Sequence, residues 1–222
     1  MAKKTNPDKR IAVLGLGRFG SSLALELMNH GWEVVGIDGD ARLVQTYADA
    51  LTHAAVADTT DEEALRQLGV HDMAHAVVGI GTDIQASILT TSLLTDFGVP
   101  NIWAKALNRQ HARILERVGA HHVVLPEHEM GERVAHLVTG QLLNFIEFED
   151  DYALAKTVAP MEAIDKTLAD TALRGKYGVT VVSIKRPGED FTYATADTTV
   201  YAGDVLIVAG KTRHVEAFAN LT

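Results

Sequence analysis

The chain has 222 residues, of which 47% are hydrophobic, enough to form the core of one large or two small domains. Its formal net charge of -9 and pI near 5.5 argue against nucleic acid as a partner, because a phosphate backbone requires a basic surface. The absence of cysteine excludes disulfides, thiolate nucleophiles and cysteine-based metal sites.

Neither the apolar runs nor the first residues of the chain indicate a membrane segment. No apolar run approaches the roughly 20 residues of a membrane span. The first nine residues are polar and lack the apolar core of a signal peptide. We therefore expect a soluble, cytoplasmic chain that does not insert into the bilayer.

The first predicted strand, at residues 11–14, runs into a Gly-x-Gly-x-x-Gly turn ahead of a predicted helix. Gly15 permits the tight turn, Gly17 lets the backbone approach a phosphate, and Gly20 lets the helix pack close to the strand. The N-terminus of that helix then directs unpaired N–H groups towards an anion. The pattern indicates a nucleotide site of the Rossmann type, with a glycine turn kept for packing as the alternative.

An acid completes the nucleotide motif. Asp38 ends the second predicted strand, 33–38, at about the 20-residue spacing after the glycines that suits a ribose diol. The combination fits NAD as well as ATP. The alternative for Asp38 is a solvated strand end.

Strands and helices continue to alternate as far as Pro126, which predicts a parallel, doubly wound α/β sheet. Thr60 with Glu63 has capping-box spacing and marks the start of one helix. The further strands are predicted at 53–57, 76–81, 101–105 and 122–125, and the helices at 18–30, 41–50, 84–97 and 109–118.

The pattern changes after Pro126. We predict a long crossover helix over 127–146, an acidic boundary at 147–151 and a small α+β lobe beyond it. A lobe this small buries little core by itself, so we expect another copy of the chain to pair with it. The predicted domains are 1–126 (nucleotide-binding), 127–147 (crossover helix and linker) and 148–222 (C-terminal lobe). Within the lobe, strands are predicted at 153–158, 179–185 and 205–209, with weaker pieces at 192–193 and 199–200 and a short helix at 168–174.

Further candidate ligands stand where later strands end. Asp58 and Thr59 follow the third strand, where an adenine edge would lie, and Asp58 either accepts from the exocyclic amine or caps the next helix. Ile80 and Gly81 end the fourth strand close to the expected phosphates. Lys105 ends the fifth strand, where it either approaches the sugar or phosphates or is simply solvated.

Several sequence blocks carry a family resemblance when they are taken in order. The chain resembles the cytosolic RCK proteins, regulators of potassium conductance of the bacterial KtrA/TrkA type. The resemblance covers nearly the whole chain and rests on GLGRFG, VVGID, VADTTDE, VVGIGTDIQASILTT, NIWAKA, LERVGAHHVVLPEHEMGERVA, LRGKYGVTVVSIKR and YAGDVLIVAG.

The resemblance implies a regulatory subunit and not an enzyme. It implies homodimers that assemble into a ring, usually an octamer, docked at the inner face of the plasma membrane under a KtrB- or TrkH-like potassium transporter subunit. Binding of ATP or ADP would change the ring's shape and hence transport, and NADH would bind more weakly.

The resemblance also assigns residues at the phosphate end. Arg18 would reach a terminal phosphate, including that of a neighbouring subunit, and its alternative is a surface arginine. Phe19 is grouped with this site, although it suits the core better. Glu127 would lie near the γ-phosphate and help hold Mg²⁺ or another bridging cation. Its alternative is an acid that favours the first turn of a helix.

A second ligand is implied for the C-terminal lobe, where similar proteins bind cyclic di-AMP. Arg174 matches the arginine expected to meet its phosphate. Thr180 stands where those proteins tend to have asparagine, and the shorter side chain lacks the amide, which disfavours this ligand. The histidines show no metal-binding spacing.

The alternative from another class is a small NAD(H)-dependent oxidoreductase. The glycine motif and Asp38 allow it. Against it, the chain after residue 126 is short, and its last 80 residues hold a single histidine, His214, on a predicted surface helix. The sequence shows no convincing substrate pocket or Tyr-x-x-x-Lys pair.

Overall fold

The computed structural model describes residues 9–138, 144–148 and 150–221. The chain divides into two compact units, one up to His128 and one from Glu129 onward. We describe each unit by itself. Within the described residues, no helix has both the length and the apolar character needed to cross a bilayer.

The first unit is built on a six-stranded sheet in the order β3-β2-β1-β4-β5-β6, in which every pair of neighbours is parallel. This confirms the predicted doubly wound α/β fold. The strands are β1 (Arg10–Leu14), β2 (Glu33–Asp38), β3 (His53–Val56), β4 (His75–Val78), β5 (Asn101–Lys105) and β6 (His122–Val124). The helices are α1 (Arg18–Asn29), α2 (Ala41–Tyr47), α3 (Glu62–Gln67), α4 (Ile84–Asp96) and α5 (Arg109–Arg117). Helix α6 (Pro126–Val138) begins at the end of this unit, and most of its residues belong to the second.

Strand β1 is buried on both faces, which explains its unbroken apolar sequence. Ala12 and Leu14 belong to the core on one face of the sheet, whereas Ile11 and Val13 belong to the core on the other. Because β1 pairs with β2 on one side and β4 on the other, the strand order reverses beside it. The carboxyl ends of the strands at such a reversal form a crevice.

The predicted capping box at Thr60 is wrong. Asp61 caps α3 instead, since its Oδ1 accepts from the amides of Glu63 and Ala64 over 2.9 and 3.2 Å. Thr60 is engaged elsewhere, because both its amide and its hydroxyl donate to Oδ1 of Asp58.

The second unit contains an antiparallel sheet in the order β11-β10-β13-β8-β7 and a separate pair, β12-β9. Its strands are β7 (Asn144–Phe148), β8 (Tyr152–Val158), β9 (Lys166–Thr167), β10 (Val179–Lys185), β11 (Thr192–Tyr193), β12 (Thr199–Val200) and β13 (Val205–Lys211). Its short helices are α7 (Leu168–Thr171), α8 (Leu173–Tyr177) and α9 (Thr212–Ala219). His214 lies on α9, as predicted.

The predicted extent of the crossover helix is wrong at its end. Helix α6 is described only as far as Val138, and residues 144–148 form strand β7, which pairs antiparallel with β8. Pairing opposite Ala155 buries Phe145, so an apolar residue that suited a helical stripe instead serves the sheet. Residues 139–143 of the prediction lie outside the described residues.

The helix predicted over 168–174 is two helices. Ala172 separates α7 from α8 with φ 50° and ψ 29°, in the left-handed region that residues with a β-carbon seldom occupy. The chain therefore turns before Arg174, which lies in α8.

Candidate functional site

A cleft of about 760 Å³ opens at the carboxyl ends of β1, β2, β3, β4 and β5. It occupies the place where the strand order reverses, which is where ligands bind in open α/β sheets. Of the residues predicted for a nucleotide, all but Gly20 line it: Gly15, Gly17, Arg18, Phe19, Asp38, Asp58, Thr59, Ile80, Gly81, Lys105 and Glu127.

The glycines of the turn are needed for different reasons. Gly15 has φ +97°, and a β-carbon there would stand 3.0 Å from the backbone nitrogen of Ile80. A β-carbon on Gly20 would collide with the carbonyl oxygen of Gly15, so Gly20 serves packing and lies outside the cleft. A β-carbon on Gly17 would meet no protein atom within 4 Å. The space beside Gly17 is therefore open, and a ligand can approach the protein backbone there.

Helix α1 differs from the next four helices in how it begins. Helices α2, α3, α4 and α5 have side-chain caps, from Asp40, Asp61, Asp83 and Asn108. The N-cap of α1 is Gly17, and no side chain caps it. The first-turn amides of α1 thus lack the capping side-chain oxygen that is present in α2, α3, α4 and α5, and they stand at the cleft.

Asp38 holds the glycine loop as well as lining the cleft. Its Oδ2 accepts from the amide of Leu16 over 2.6 Å and its Oδ1 from the amide of Asp40 over 2.8 Å. An ionised carboxylate has about four acceptor positions, so two remain for other donors. Asp38 is a brace for the loop rather than only a solvated strand end.

Lys105 is buried, so the alternative of a solvated strand end is wrong. Its Nζ donates to Oε1 of Glu127 over 2.7 Å, and the two side chains are 10% and 63% exposed. The same Nζ lies 5.7 Å from the ring centroid of Phe19. The hydrogen bond from Lys105 lowers the pKa of Glu127 below its ordinary value, and the charge of Arg18 contributes in the same direction. Two cationic side chains and one carboxylate thus stand at one end of the cleft.

Asp58 and Thr59 line the cleft where β3 ends. The amide and then the hydroxyl of Thr60 lower the pKa of Asp58, and both bonds go to Oδ1. Asp58 therefore does not cap α3. Thr59 is buried, and its hydroxyl lies 2.9 Å from that of Thr90 on α4, so its side chain is committed to the interior.

The sequence prediction missed the apolar part of the lining. Leu43, Val56, Ala57 and Leu107 contribute aliphatic surface to the cleft. Val56 is 55% exposed, which is unusual for a valine that ends a strand. The signal available in the sequence was position: Val56 lies two residues before Asp58, and Leu43 lies in the first turn after Asp40.

The cleft fits a cation only together with a ligand. Among the described residues, no group of three or more histidine or acidic side chains is placed to hold a metal ion. Glu127 offers a single carboxylate, and Mg²⁺ typically combines one or two carboxylates with substrate phosphates.

Arg174 and Thr180 lie together in the second unit. They line a pocket of about 280 Å³, and Nε of Arg174 donates to Oγ1 of Thr180 over 3.1 Å. The pocket also includes Leu168, Ala169, Thr171, Leu173, Val179, Val181, Ala194, Thr195 and Ala196.

Family models match both units. The TrkA-N domain matches residues 11–126 and the TrkA-C domain matches residues 157–222. The chain is 40% identical over 211 residues to Ktr system potassium uptake protein C of Bacillus subtilis, covering 95% of this chain and 96% of the relative. It is 36% identical over 214 residues to Ktr system potassium uptake protein A of the same organism, covering 96% of each.

Solved structures share the fold. The GsuK RCK domain superposes with a TM-score of 0.66 at 16% identity, covering all of this chain and 48% of the other. The GsuK channel bound to NAD gives 0.54 at 22% identity, covering 99% and 39%. GsuK bound to ADP gives 0.53 at 23% identity, covering 62% and 35%. This chain thus spans less than half the length of these structures.

Proposed function

The chain belongs to the RCK-domain family of KtrA/TrkA-type proteins, and on that premise we propose that it is the nucleotide-sensing regulatory subunit of a membrane potassium transporter. The observation that carries the proposal is the cleft itself. A glycine loop braced by Asp38, an uncapped helix N-terminus and two cationic side chains converge there. Two relatives that align over 96% of their own length are named as potassium uptake proteins.

We propose a direction for a bound adenine nucleotide from the residues that line the cleft. The phosphates would lie at Gly17 and the first turn of α1, where the open space and the unpaired amides meet. The ribose hydroxyls would donate to the remaining acceptor positions of Asp38. The base would lie against Leu43 and Val56, with its exocyclic amine donating to Asp58. Guanine presents an acceptor at that edge, so we expect adenine to be preferred.

The charge at the phosphate end favours a di- or triphosphate. Arg18 and Lys105 supply positive charge, and Glu127 would share Mg²⁺ or a similar cation with the last phosphates. GsuK, which has the same fold, is described in complexes with NAD and with ADP. We propose ATP and ADP as the ligands here, with weaker binding of NADH.

We propose that the chain forms homodimers that assemble into a ring, an octamer being the expected form. Apolar side chains that are exposed in the single chain support this, among them Met130 and Val134 on α6. The ring would bind the cytoplasmic side of a KtrB- or TrkH-like transporter. Light scattering at micromolar concentration tests the assembly, and a monomeric mass contradicts it.

The oxidoreductase alternative is set aside. The relatives reported above are named as potassium uptake proteins and not as enzymes. The chain is accordingly not an enzyme of that class, although NADH binding without turnover fits the cleft.

Calorimetry with ATP, ADP, GTP, NADH and NAD tests the ligand, and potassium flux in liposomes carrying the partner transporter tests the role. We expect micromolar dissociation constants for ATP and ADP, which correspond to binding free energies of about -8 kcal/mol. We expect flux to depend on which of the two is bound. Tight NADH binding with no measurable ATP affinity would contradict the proposal.

We further propose the pocket at Arg174 as a place for cyclic di-AMP. The guanidinium that bonds Thr180 suits a phosphate, although threonine offers the base no amide. Calorimetry with the dinucleotide on the wild type and on Arg174→Ala tests this. Binding of equal strength in both would exclude Arg174 from the contact.

A further inference from the structure

The loop between β5 and α5, residues 106–108, forms part of the cleft wall. Leu107 is its residue in the cleft lining. A β-carbon on Gly81 would stand 3.1 Å from Nζ of Lys105 and 3.6 Å from Cδ2 of Leu107, so Leu107 lies near the lysine at the charged end of the cleft. The position of this short loop therefore affects the space that a bound phosphate would have.

A buried imidazole holds the middle of the loop. Nδ1 of His111, in the first turn of α5, accepts a hydrogen bond from the amide of Leu107 over 3.3 Å. The flanking residues are held by other groups, since the amide of Ala106 donates to the carbonyl oxygen of Val124 over 2.8 Å and Asn108 caps α5. Because Nδ1 accepts, the proton of the neutral imidazole lies on Nε2.

The bond to Leu107 cannot survive protonation of His111. An imidazolium donates from both nitrogens and accepts at neither, so its Nδ1 proton would face the amide proton of Leu107. The residue is 2% exposed, and its Nε2 is buried without a hydrogen-bond partner among the described residues. Burial accordingly lowers the pKa of His111 below its ordinary value. Once the proton binds, the imidazole or Leu107 must move.

Neighbouring charges do not stabilise a protonated His111. Burial alone accounts for the lowered pKa of His111. In the described part of the chain, the ionisable groups on α5 and on the elements packed against it are exposed, apart from Lys105, which pairs with Glu127. These groups are Asp83 and Asp96 at the ends of α4, Lys105 on β5, His122 on β6, and Arg109, Arg113, Glu116 and Arg117 on α5.

We propose that His111 is a positioning residue of the nucleotide cleft, and that protonation of its imidazole releases Leu107 and weakens nucleotide binding. The inference rests on the nucleotide cleft proposed above and adds a response of that cleft to pH. A ligand that requires the held form of the wall binds only molecules whose His111 is neutral. Its apparent affinity then falls with the fraction of such molecules. By linkage, binding of the ligand expels the proton from His111.

Calorimetry with ATP between about pH 8 and about pH 5 tests the inference on the wild type, His111→Asn and His121→Asn. The amide oxygen of His111→Asn can accept the bond from Leu107 and does not titrate. His121→Asn is the matched control, since Nδ1 of His121 also accepts a backbone amide, that of Ile102 over 3.1 Å, and neither residue lines the cleft. Titration of the ATP phosphates cancels when the proteins are compared.

We expect the affinity of the wild type to fall about tenfold by one pH unit below the folded pKa of His111, and that of His111→Asn to fall much less. His121→Asn should follow the wild type. In buffers of different ionisation enthalpy, the wild type should release more protons on binding ATP than His111→Asn does. Thermal unfolding verifies folding at each pH, and His111→Gln serves if His111→Asn does not fold. Equal pH dependence of affinity in the wild type and His111→Asn overturns the inference.

Hydrogen exchange separates this inference from the nucleotide assignment, because it requires no ligand. In the ligand-free protein, on acidification, the amide of Leu107 should exchange faster in the wild type than in His111→Asn at the same pH. If exchange differs in this way while ATP binds neither protein, the positioning role stands and the assignment of adenine nucleotides fails. Equal exchange in both proteins at every pH contradicts the release of Leu107.

Discussion

The amide of Leu16 donates a hydrogen bond to Oδ2 of Asp38 over 2.6 Å, so the acid at the end of β2 fixes the glycine loop that follows β1. Oδ1 of the same side chain takes the amide of Asp40. Asp38 therefore links two strand ends that lie side by side in the sheet. Its proposed contact with a ribose would depend on the same carboxylate that shapes the phosphate loop.

Replacing Asp38 should cost stability and binding together. Asp38→Ala leaves two amides without their acceptor, and we expect it to lower the free energy of unfolding by about 1–3 kcal/mol. Asp38→Asn keeps one acceptor and should lose less stability. Urea unfolding measures the stability, and calorimetry measures ATP affinity. Asp61→Ala is the control, since it removes the cap of α3, and neither Asp61 nor the capped residues Glu63 and Ala64 line the cleft. Full ATP binding by Asp38→Ala would contradict the ribose assignment.

The glycines at 17 and 20 should separate binding from folding. Gly17→Ala places its methyl group where no protein atom lies within 4 Å, so we expect near wild-type stability and a large loss of nucleotide affinity. Gly20→Ala forces a collision with the carbonyl of Gly15 and should destabilise the fold. Thermal unfolding and ATP titration of the two variants give the comparison. If Gly17→Ala binds ATP as the wild type does, the phosphates do not approach this residue.

Arg18 should distinguish ATP from ADP. An arginine beside the last phosphate gains most from a γ-phosphate, so Arg18→Ala should weaken ATP binding by roughly 1.5–3 kcal/mol and ADP binding by less. Arg18→Lys should not restore the discrimination, because lysine lacks the planar guanidinium group that can donate two hydrogen bonds to one phosphate. In transporter liposomes, Arg18→Ala should bind nucleotide yet leave flux insensitive to the ATP/ADP ratio. Equal stimulation of wild type and variant by ATP would place the switch elsewhere.

His111 should make stability depend on pH. It is 2% exposed at the start of α5, and burial lowers its pKa below the ordinary 6.5. The folded state therefore resists protonation that the unfolded chain accepts. The free energy of unfolding should fall as pH drops below 6.5 and stop falling once pH passes below the lowered folded pKa.

The pH effect of His111 can be isolated by difference. Urea unfolding of the wild type and of His111→Gln is measured at about pH 8 and about pH 5.5. The contributions of the other histidines cancel when the pH effect of the variant is subtracted from that of the wild type. We expect a smaller loss of stability on acidification in His111→Gln. An equal loss in both would show that His111 is not the group responsible.

Local signals explain which parts of this molecule were predictable. The strand, glycine turn, helix and acid from Ile11 to Asp38 are set by neighbouring residues, and they form the predicted geometry. Phe145 was misread because its apolar character fits a helical stripe and a strand equally, and only its pairing with β8 decides between them. The Thr60 cap failed because Asp61 takes the first-turn amides of α3, while the amide and hydroxyl of Thr60 donate to Asp58.

The burial of Lys105 could not be predicted from its position. A lysine at a strand end is usually solvated, and its partner Glu127 is 22 residues away in the sequence. Helix caps and glycine turns are short-range features, whereas this ion pair depends on how β5 and the start of α6 come together within the first unit. The same holds for the hydroxyl pair of Thr59 and Thr90, 31 residues apart.

The left-handed conformation of Ala172 bears on how this chain responds to selection for heat resistance. A β-carbon in that region stores roughly 1–2 kcal/mol of strain, which Ala172→Gly would release against a smaller entropic cost of about 0.5–1 kcal/mol. The turn leads directly into Leu173 and Arg174, which line the smaller pocket. Laboratory evolution towards thermostability would therefore tend to alter this turn and reshape the pocket, so a stabilised lineage could lose a ligand response without any substitution in the pocket's own lining.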